Sequence, residues 1–332
     1  MTNGDKPGIS VVIMAHERQD ETLRAVDAIL NVDFGCETEI VVSDNPSSPD
    51  KAIKNLPSQV IHKVRNPSGD SVWHANRIFQ ELDHEWTLLT HDDDEMLPYI
   101  GELFRKFNSD TQTVVITGKS RIIVNGAETI DKGYNTRLSR AQLDGSSPVS
   151  RTDLFNSLFD IGPLFPASAM IVRTDHLRKH SNINSDYNLA GDLALSMAFA
   201  NNAKVVFDGS TYVMNYHIHG GNSVFSAAAA GGLMADFTIV RLSKAVINNI
   251  EITAFRHAML IKAVIVSRIL AKSFHLNERY SNVRSYAIEF NKKFPEHKIR
   301  GIYLLPIPLG PLKPITRRLM WKRLGVDRWG YK

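Results

Sequence analysis

Four consecutive acids, Asp92, Asp93, Asp94 and Glu95, lie inside the stretch WTLLTHDDDEMLP that begins at Trp86. Carboxylates this close repel one another unless water or a counter-ion separates them. A solvated acidic turn satisfies that condition. So does a divalent cation, because Asp92 and Asp94 form an i, i+2 pair of hard oxygen ligands of the kind that Mg2+ or Mn2+ accepts. The two readings differ in consequence, and the position of the acids decides which deserves pursuit.

The surrounding elements put the acids where a ligand belongs. ISVVIM (Ile9 to Met14), EIVVSDN, SQVIHKV and WTLLT read as short apolar strands, and ETLRAVDAIL, DSVWHANRIFQEL and YIGELFRKF read as helices between or after them. Strands alternating with helices predict an α/β fold, a mostly parallel sheet with helices on both faces. Such sheets bind ligands beyond the carboxyl ends of their strands. Three polar clusters fall there: AHER after the first strand, SDN after the second, and HDDDE after the Trp86–Thr90 strand. Beyond Asn108 the pattern changes. TVVITGKSRIIVNG reads as two short strands joined by a turn, a polar segment runs from Asp131 to Ser150, and Ala230 to Lys293 reads as helical.

Composition narrows the class. The 332 residues, 43% hydrophobic and 22% charged, describe an ordinary globular chain. A single cysteine, Cys36, excludes an intramolecular disulfide and fits a reducing compartment such as the cytoplasm. No run approaches the ~18 uninterrupted apolar residues of a membrane span. From Lys298 onward nine Lys and Arg face one acid, Asp327, so a tail of +8 follows a body of −4 within a chain of net +4. That basic, Trp-containing tail predicts either docking on an anionic membrane surface, peripherally at the inner face of the cell membrane, or packing on its own body. Nucleic acid is excluded as a partner, because nothing in the acidic body continues the positive surface. Neither G-x-G-x-x-G nor G-x-x-x-x-G-K-[ST] occurs at a strand–helix junction, so a phosphate-bearing ligand would need a metal and side chains.

ISVVIMAHERQDETLRAVDAIL, EIVVSDN, NPSGDSVWHANRIF and WTLLTHDDDEMLP, in that order and spacing, resemble the nucleotide-sugar half of family 2 glycosyltransferases with the GT-A fold. The resemblance covers Ile9 to about Phe107, and more loosely Gly162 to Val224. It implies a GT-A domain over 1–225, with a nucleotide-sugar half (1–108) and an acceptor half (109–225), then a helical C-terminal region with the basic tail (226–332). It implies that the loop Ala15, His16, Glu17, Arg18 wraps the donor base and ribose, and that Asp44 hydrogen-bonds the base. Asn76, Asp92 and Asp93 join the donor-binding set, Asp92 near the ribose, and Asp94 binds Mn2+ or Mg2+ bridging the diphosphate. Asp192 in NLAGDLALSMAF matches the family's general base, although Gly191 stands where the family has glutamate. His219 in NYHIHGG matches a histidine that touches the metal or diphosphate, ahead of His217. Simpler roles stay open: Asp44 capping a turn with Asn45, Asn76 on a helix surface, Asp192 as a first-turn helix acid.

These roles imply an inverting, metal-dependent transfer of one sugar from a nucleotide-sugar, by default a UDP-sugar, to a glycan or lipid-linked acceptor. The Gln-x-x-Arg-Trp element of processive synthases is missing; the one Arg-Trp pair, Arg328–Trp329, has no such glutamine. Together with the basic tail, this resembles bacterial enzymes of O-antigen or capsule synthesis. Two other classes compete: a non-catalytic nucleotide-sugar-binding protein with a degenerate site, and a sugar nucleotidyltransferase, which would need a glycine-rich loop that AHER lacks.

Overall fold

A computed structural model describes residues 6–143, 145–149, 151–180, 182–202, 204–219, 227–273 and 277–304. The basic tail beyond Leu304 lies outside the described residues. Two compact units divide the chain: 1–183 with 195–218, and 184–194 with 219–332.

The first unit is built on one sheet. In chain order come β1 (Lys6–Ala15), α1 (Gln19–Leu30), β2 (Thr38–Asp44), β3 (Val60–Val64), α2 (Ser71–Phe79), β4 (His84–His91), β5 (Glu95–Met96), α3 (Tyr99–Phe107), β6 (Thr113–Val124) and β7 (Ala127–Glu128). Then follow α4 (Lys132–Arg140), β8 (Ser146–Val149), α5 (Arg151–Ile161), β9 (Met170–Arg173), α6 (Thr174–Lys179), α7 (Gly191–Asn202) and β10 (Lys204–Ile218). The strand order is β3-β2-β1-β4-β9-β6-β10-β5, with β7 on β6 and β8 on β10. The first four strands are parallel, as the alternation of strands and helices predicts; β9 then enters antiparallel between β4 and β6, making the sheet mixed.

The apolar runs become strands because burial on both faces suits them. Ile9, Val11, Val12 and Ile13 of β1 are fully buried, as are Val42 of β2 and Leu88 of β4. α3 caps one face through Phe104, whose ring meets Trp86 edge-on at 5.6 Å and Phe34 at 5.8 Å. The Arg173 guanidinium covers Trp86 at 4.3 Å and is tied to Glu85, which fastens β9 to β4.

TVVITGKSRIIV is one strand of twelve residues, not two joined by a turn. Gly118 lies mid-strand opposite a bulge in β10 between Asp208 and Tyr212. A Cβ at Gly118 would fall 2.6 Å from Val213 Cγ1 and 3.0 Å from the Asp208 carbonyl oxygen. Glycine is there because two backbones approach closely, not because the chain reverses.

The second unit contains α8 (Ala227–Ile247), α9 (Ala254–Ser273) and α10 (Asn277–Lys293). Ile239 and Leu242, Leu260 and Val264, and Val283 and Phe290 are its buried apolar contributions from the three helices. Inside it, Thr238 and Ser267 share a buried hydrogen bond, and Asp236 accepts from the Leu189 amide and pairs with Arg279. No helix among the described residues is long and apolar enough to cross a membrane.

Replacing Gly118 by valine overpacks the β6–β10 contact, and a loss of about 1–3 kcal/mol is expected in denaturant unfolding. Unchanged stability would show that the bulge can yield, and would remove close approach as the reason for glycine.

Candidate active site

Sheet register assembles the site. Ala15 of β1 pairs with Asp44 of β2, and Met14 pairs with His91 of β4, so AHER, SDN and HDDD leave the sheet side by side. The chain then knots these ends together. The Asp92 amide donates to the Met14 carbonyl at 3.1 Å, and the Asn45 amide donates to the Ala15 carbonyl at 3.0 Å.

The loop after β1 is held by side chains. The His16 amide donates to Asp92 Oδ2 at 2.8 Å, and His16 Nδ1 lies 2.7 Å from the Asn45 carbonyl oxygen. Glu17 takes a positive φ of 59°, unusual for a residue with a side chain. Its carboxylate secures that turn by accepting from the Ser47 amide at 2.7 Å and from Lys51 Nζ at 2.9 Å. The Ser47 hydroxyl and Lys51 bring its pKa down to about 2. Arg18 reaches Asp92 at 3.1 Å and Asp93 at 2.5 Å, neutralising part of the cluster.

The acids are buried rather than solvated. Asp92 is 4% exposed, Asp93 8% and Asp94 1%. The open, solvated turn allowed by the sequence is therefore not what forms. Glu95 leaves the cluster, meeting Arg24 at 3.6 Å and Asn215 at 3.2 Å. Asp94 Oδ1 accepts from the His217 amide at 3.2 Å, while Oδ2 is buried without a hydrogen bond. The neighbouring Ser168 hydroxyl is directed at the Met214 sulfur, 3.5 Å away. Burial, assisted by the Asp93 charge, pushes the Asp94 carboxyl up to about 7.

A cation fits this donor set. His91, Asp93 and Asp94 each offer one ligand atom, all within 4.8 Å of one another, and Asp94 Oδ2 accepts no hydrogen bond. Two carboxylate oxygens and an imidazole nitrogen suit Mn2+ or Mg2+ better than a soft metal. His91 was not among the candidates read from the sequence. Its signal was local all the same: it stands three residues before Asp94, across the turn that ends β4, with Nδ1 3.9 Å from Asp94 Oδ2.

The other sequence candidates fall as follows. Asp44 is fully buried; its Oδ2 accepts from the Ile53 amide at 2.7 Å and meets His62 Nε2 at 3.1 Å, and its Oδ1 has no hydrogen bond. Its bonded oxygen reaches the Ile53 amide nine residues on, so Asp44 does not cap a turn with Asn45. The residue beside it does the capping: Asn45 exchanges hydrogen bonds with Gly69, 2.7 and 3.1 Å, and so pins the segment before α2. Asn76 is neither free nor merely on the surface, because its amide brackets the Ile183 backbone at 3.0 Å in both directions. His217, through its amide, is the histidine at the Asp94 loop. His219 follows the end of β10 and is grouped with the second unit. Asp192 stands in the first turn of α7, partly exposed, and also falls in that unit's residues. A Cβ at Gly191 would meet nothing within 4 Å, so no neighbour imposes glycine there.

The family model described as glycosyl transferase family 2 matches residues 10–180, just over half the chain. The chain belongs to that family. This glycosyltransferase has no match among curated protein sequences. Among solved structures it is similar to S. aureus TarS 1–349 in complex with UDP-GlcNAc, with a TM-score of 0.56 and 15% identity, over 97% of this chain and 89% of that one. It is also similar to the mannosyltransferase PcManGT from Pyrobaculum calidifontis in complex with GDP-Man and Mn2+, with a TM-score of 0.54 and 12% identity, over 96% and 88% of the two chains. At such identities the likeness is one of fold, and the fold is GT-A.

The raised pKa of Asp94 carries a stability cost in the metal-free enzyme. Between an unfolded pKa of about 3.9 and the folded value, the native state holds a proton that the unfolded chain has released. Stability therefore falls as pH rises through that window. In EDTA, Asp94→Asn is expected to melt above the wild type at pH 8, with the gap narrowing towards pH 4. A gap independent of pH, or a less stable variant at pH 8, would contradict the assignment.

Proposed function

We propose that this glycosyltransferase is an inverting, metal-dependent, non-processive enzyme that moves one sugar from a nucleotide-sugar to a glycan or lipid-linked acceptor. The observation that carries the proposal is the buried Asp94 carboxylate with its unpartnered oxygen, beside His91 and Asp93 at the end of β4. A cation held there would neutralise the charge that develops on the departing diphosphate. TarS and PcManGT, whose structures contain UDP-GlcNAc and GDP-Man with Mn2+, share the fold and so support a nucleotide-sugar donor and Mn2+ or Mg2+.

The chain's own groups then divide the work. Asp44 presents its free Oδ1 to an N–H of the base, with His62 and the Ile53 amide fixing the carboxylate. His16 and Arg18 orient Asp92, the carboxylate placed for the ribose, and Arg18 also steadies Asp93. Asp192 is the proposed general base: it takes the proton from the acceptor hydroxyl as that oxygen attacks the anomeric carbon. One in-line displacement inverts the configuration. His219 remains a proposed contact to the metal or diphosphate. The +8 tail supports a role at an anionic membrane face and, with it, a part in building surface polysaccharide such as O-antigen or capsule.

The test is release of nucleoside diphosphate from a panel of UDP- and GDP-sugars with Mn2+. At least one donor is expected to turn over, and Asp192→Asn to lower kcat by at least ~100-fold with nucleoside diphosphate affinity nearly intact. Pyrophosphate released from a nucleoside triphosphate would instead indicate a nucleotidyltransferase. Binding without any release would indicate a non-catalytic binder.

A further inference from the structure

The helical unit contains a cavity of about 490 Å3 that the donor reading does not use. Its walls come from α8, α10 and the turn around Asp186. The volume lies in the range of sites that enclose small organic ligands.

Its polar groups are already arranged. The Tyr286 hydroxyl donates to Asp186 Oδ2 at 3.1 Å, and the Asn282 amide donates to Oδ1 at 3.3 Å. The Asn184 amide donates to the Tyr286 oxygen at 2.8 Å. Tyr187 and Ser243 share a buried hydrogen bond of 2.8 Å. Burial, then the Asp186 charge, raises the Tyr286 pKa, so the phenol keeps its proton and serves as a donor. The carboxylate is thus oriented entirely by neutral groups, with acceptor capacity left for a ligand.

The charge balance selects the ligand class. Asp186 and Glu289 both line the cavity, and no Lys or Arg is among the residues that line it. Phosphates, nucleotides and acidic sugars would meet uncompensated negative charge. A wholly apolar ligand would desolvate the Asp186 and Glu289 carboxylates without offering them a donor. A metal is disfavoured too, because the one His/Asp ligand group among the described residues is His91, Asp93 and Asp94. What remains is a molecule rich in hydroxyl donors, with or without an amine, and with apolar C–H faces for Tyr286 and for Ile247, which is 68% exposed.

We propose that this cavity binds a saccharide without acidic groups through Asp186, Asn282 and Glu289, with Tyr286 and Ile247 against its C–H faces. The proposal rests on the helical unit alone and stands whether or not the donor reading does.

The intact protein is applied to an array of neutral oligosaccharides printed beside sulfated, phosphorylated and amine-bearing counterparts. The strongest ligand without acidic groups is then measured by saturation-transfer NMR. Binding is expected to favour neutral or amine-bearing saccharides over sulfated and phosphorylated ones, and Asp186→Asn is expected to weaken it by about tenfold or more, the effect of losing a charged hydrogen-bond partner. Ser285→Trp, at an exposed lining position, is expected to block it while leaving the melting temperature unchanged. That second variant carries the test if the first fails to fold. No saccharide ligand, a preference for sulfated or phosphorylated ones, or binding untouched in folded variants would overturn the proposal. UDP binding with Mn2+, measured on the same samples, reports on the donor site separately.

Discussion

The structure depends on burying carboxylates at the ends of β2 and β4, the two strands that flank β1. Asp44, Asp92, Asp93 and Asp94 are each less than a tenth exposed, and Arg18 is the guanidinium that reaches two of them. Burying charge without a partner is expensive, and a protein tolerates it where a ligand completes the set. Two of these acids keep one oxygen without a hydrogen bond, Asp44 Oδ1 and Asp94 Oδ2. The site is therefore polarised before anything binds.

Much of the first unit serves to hold that arrangement. Parallel pairing of β1 with β2 and β4 aligns the strand ends, and the Met14 and Ala15 carbonyls receive the amides of Asp92 and Asn45. Behind β2, Ser43 lies between Arg65, which donates to it at 2.9 Å, and His74, 2.8 Å away. Burial and the Arg65 charge bring His74 down to about 4, so it stays neutral and can occupy the interior. Arg65 is itself held by both oxygens of Glu81. These contacts fix the strand ends, which leaves the carboxylates little freedom to separate.

How much of this could be read beforehand depended on sequence distance. The parallel half was legible because its strands are short apolar runs ending in polar residues, and Asp44, Asp92 and Asp94 follow those runs directly. His91 is no candidate in the sequence because the four acids that follow it dominate the HDDDE cluster, although its spacing to Asp94 marks it as a neighbour. The break expected within TVVITGKSRIIVNG does not fall at Gly118, because a glycine in an apolar run serves a close approach as well as a turn, and only β10 tells them apart. Tyr286 and Asp186 lie 100 residues apart, and no local pattern pairs them. Residues 184–194 likewise join helices that begin far along the chain, a partition that composition and periodicity do not encode.

The central claim is that Asp94 holds the cation through which a nucleoside diphosphate binds. Calorimetric titration of UDP into the wild type and Asp94→Asn, each with Mn2+ and with EDTA, tests it most directly. The account predicts that Mn2+ strengthens UDP binding to the wild type, that this gain is lost in the variant, and that the two proteins bind alike in EDTA. Equal weakening under both conditions, or a Mn2+-dependent gain that survives the substitution, would contradict it.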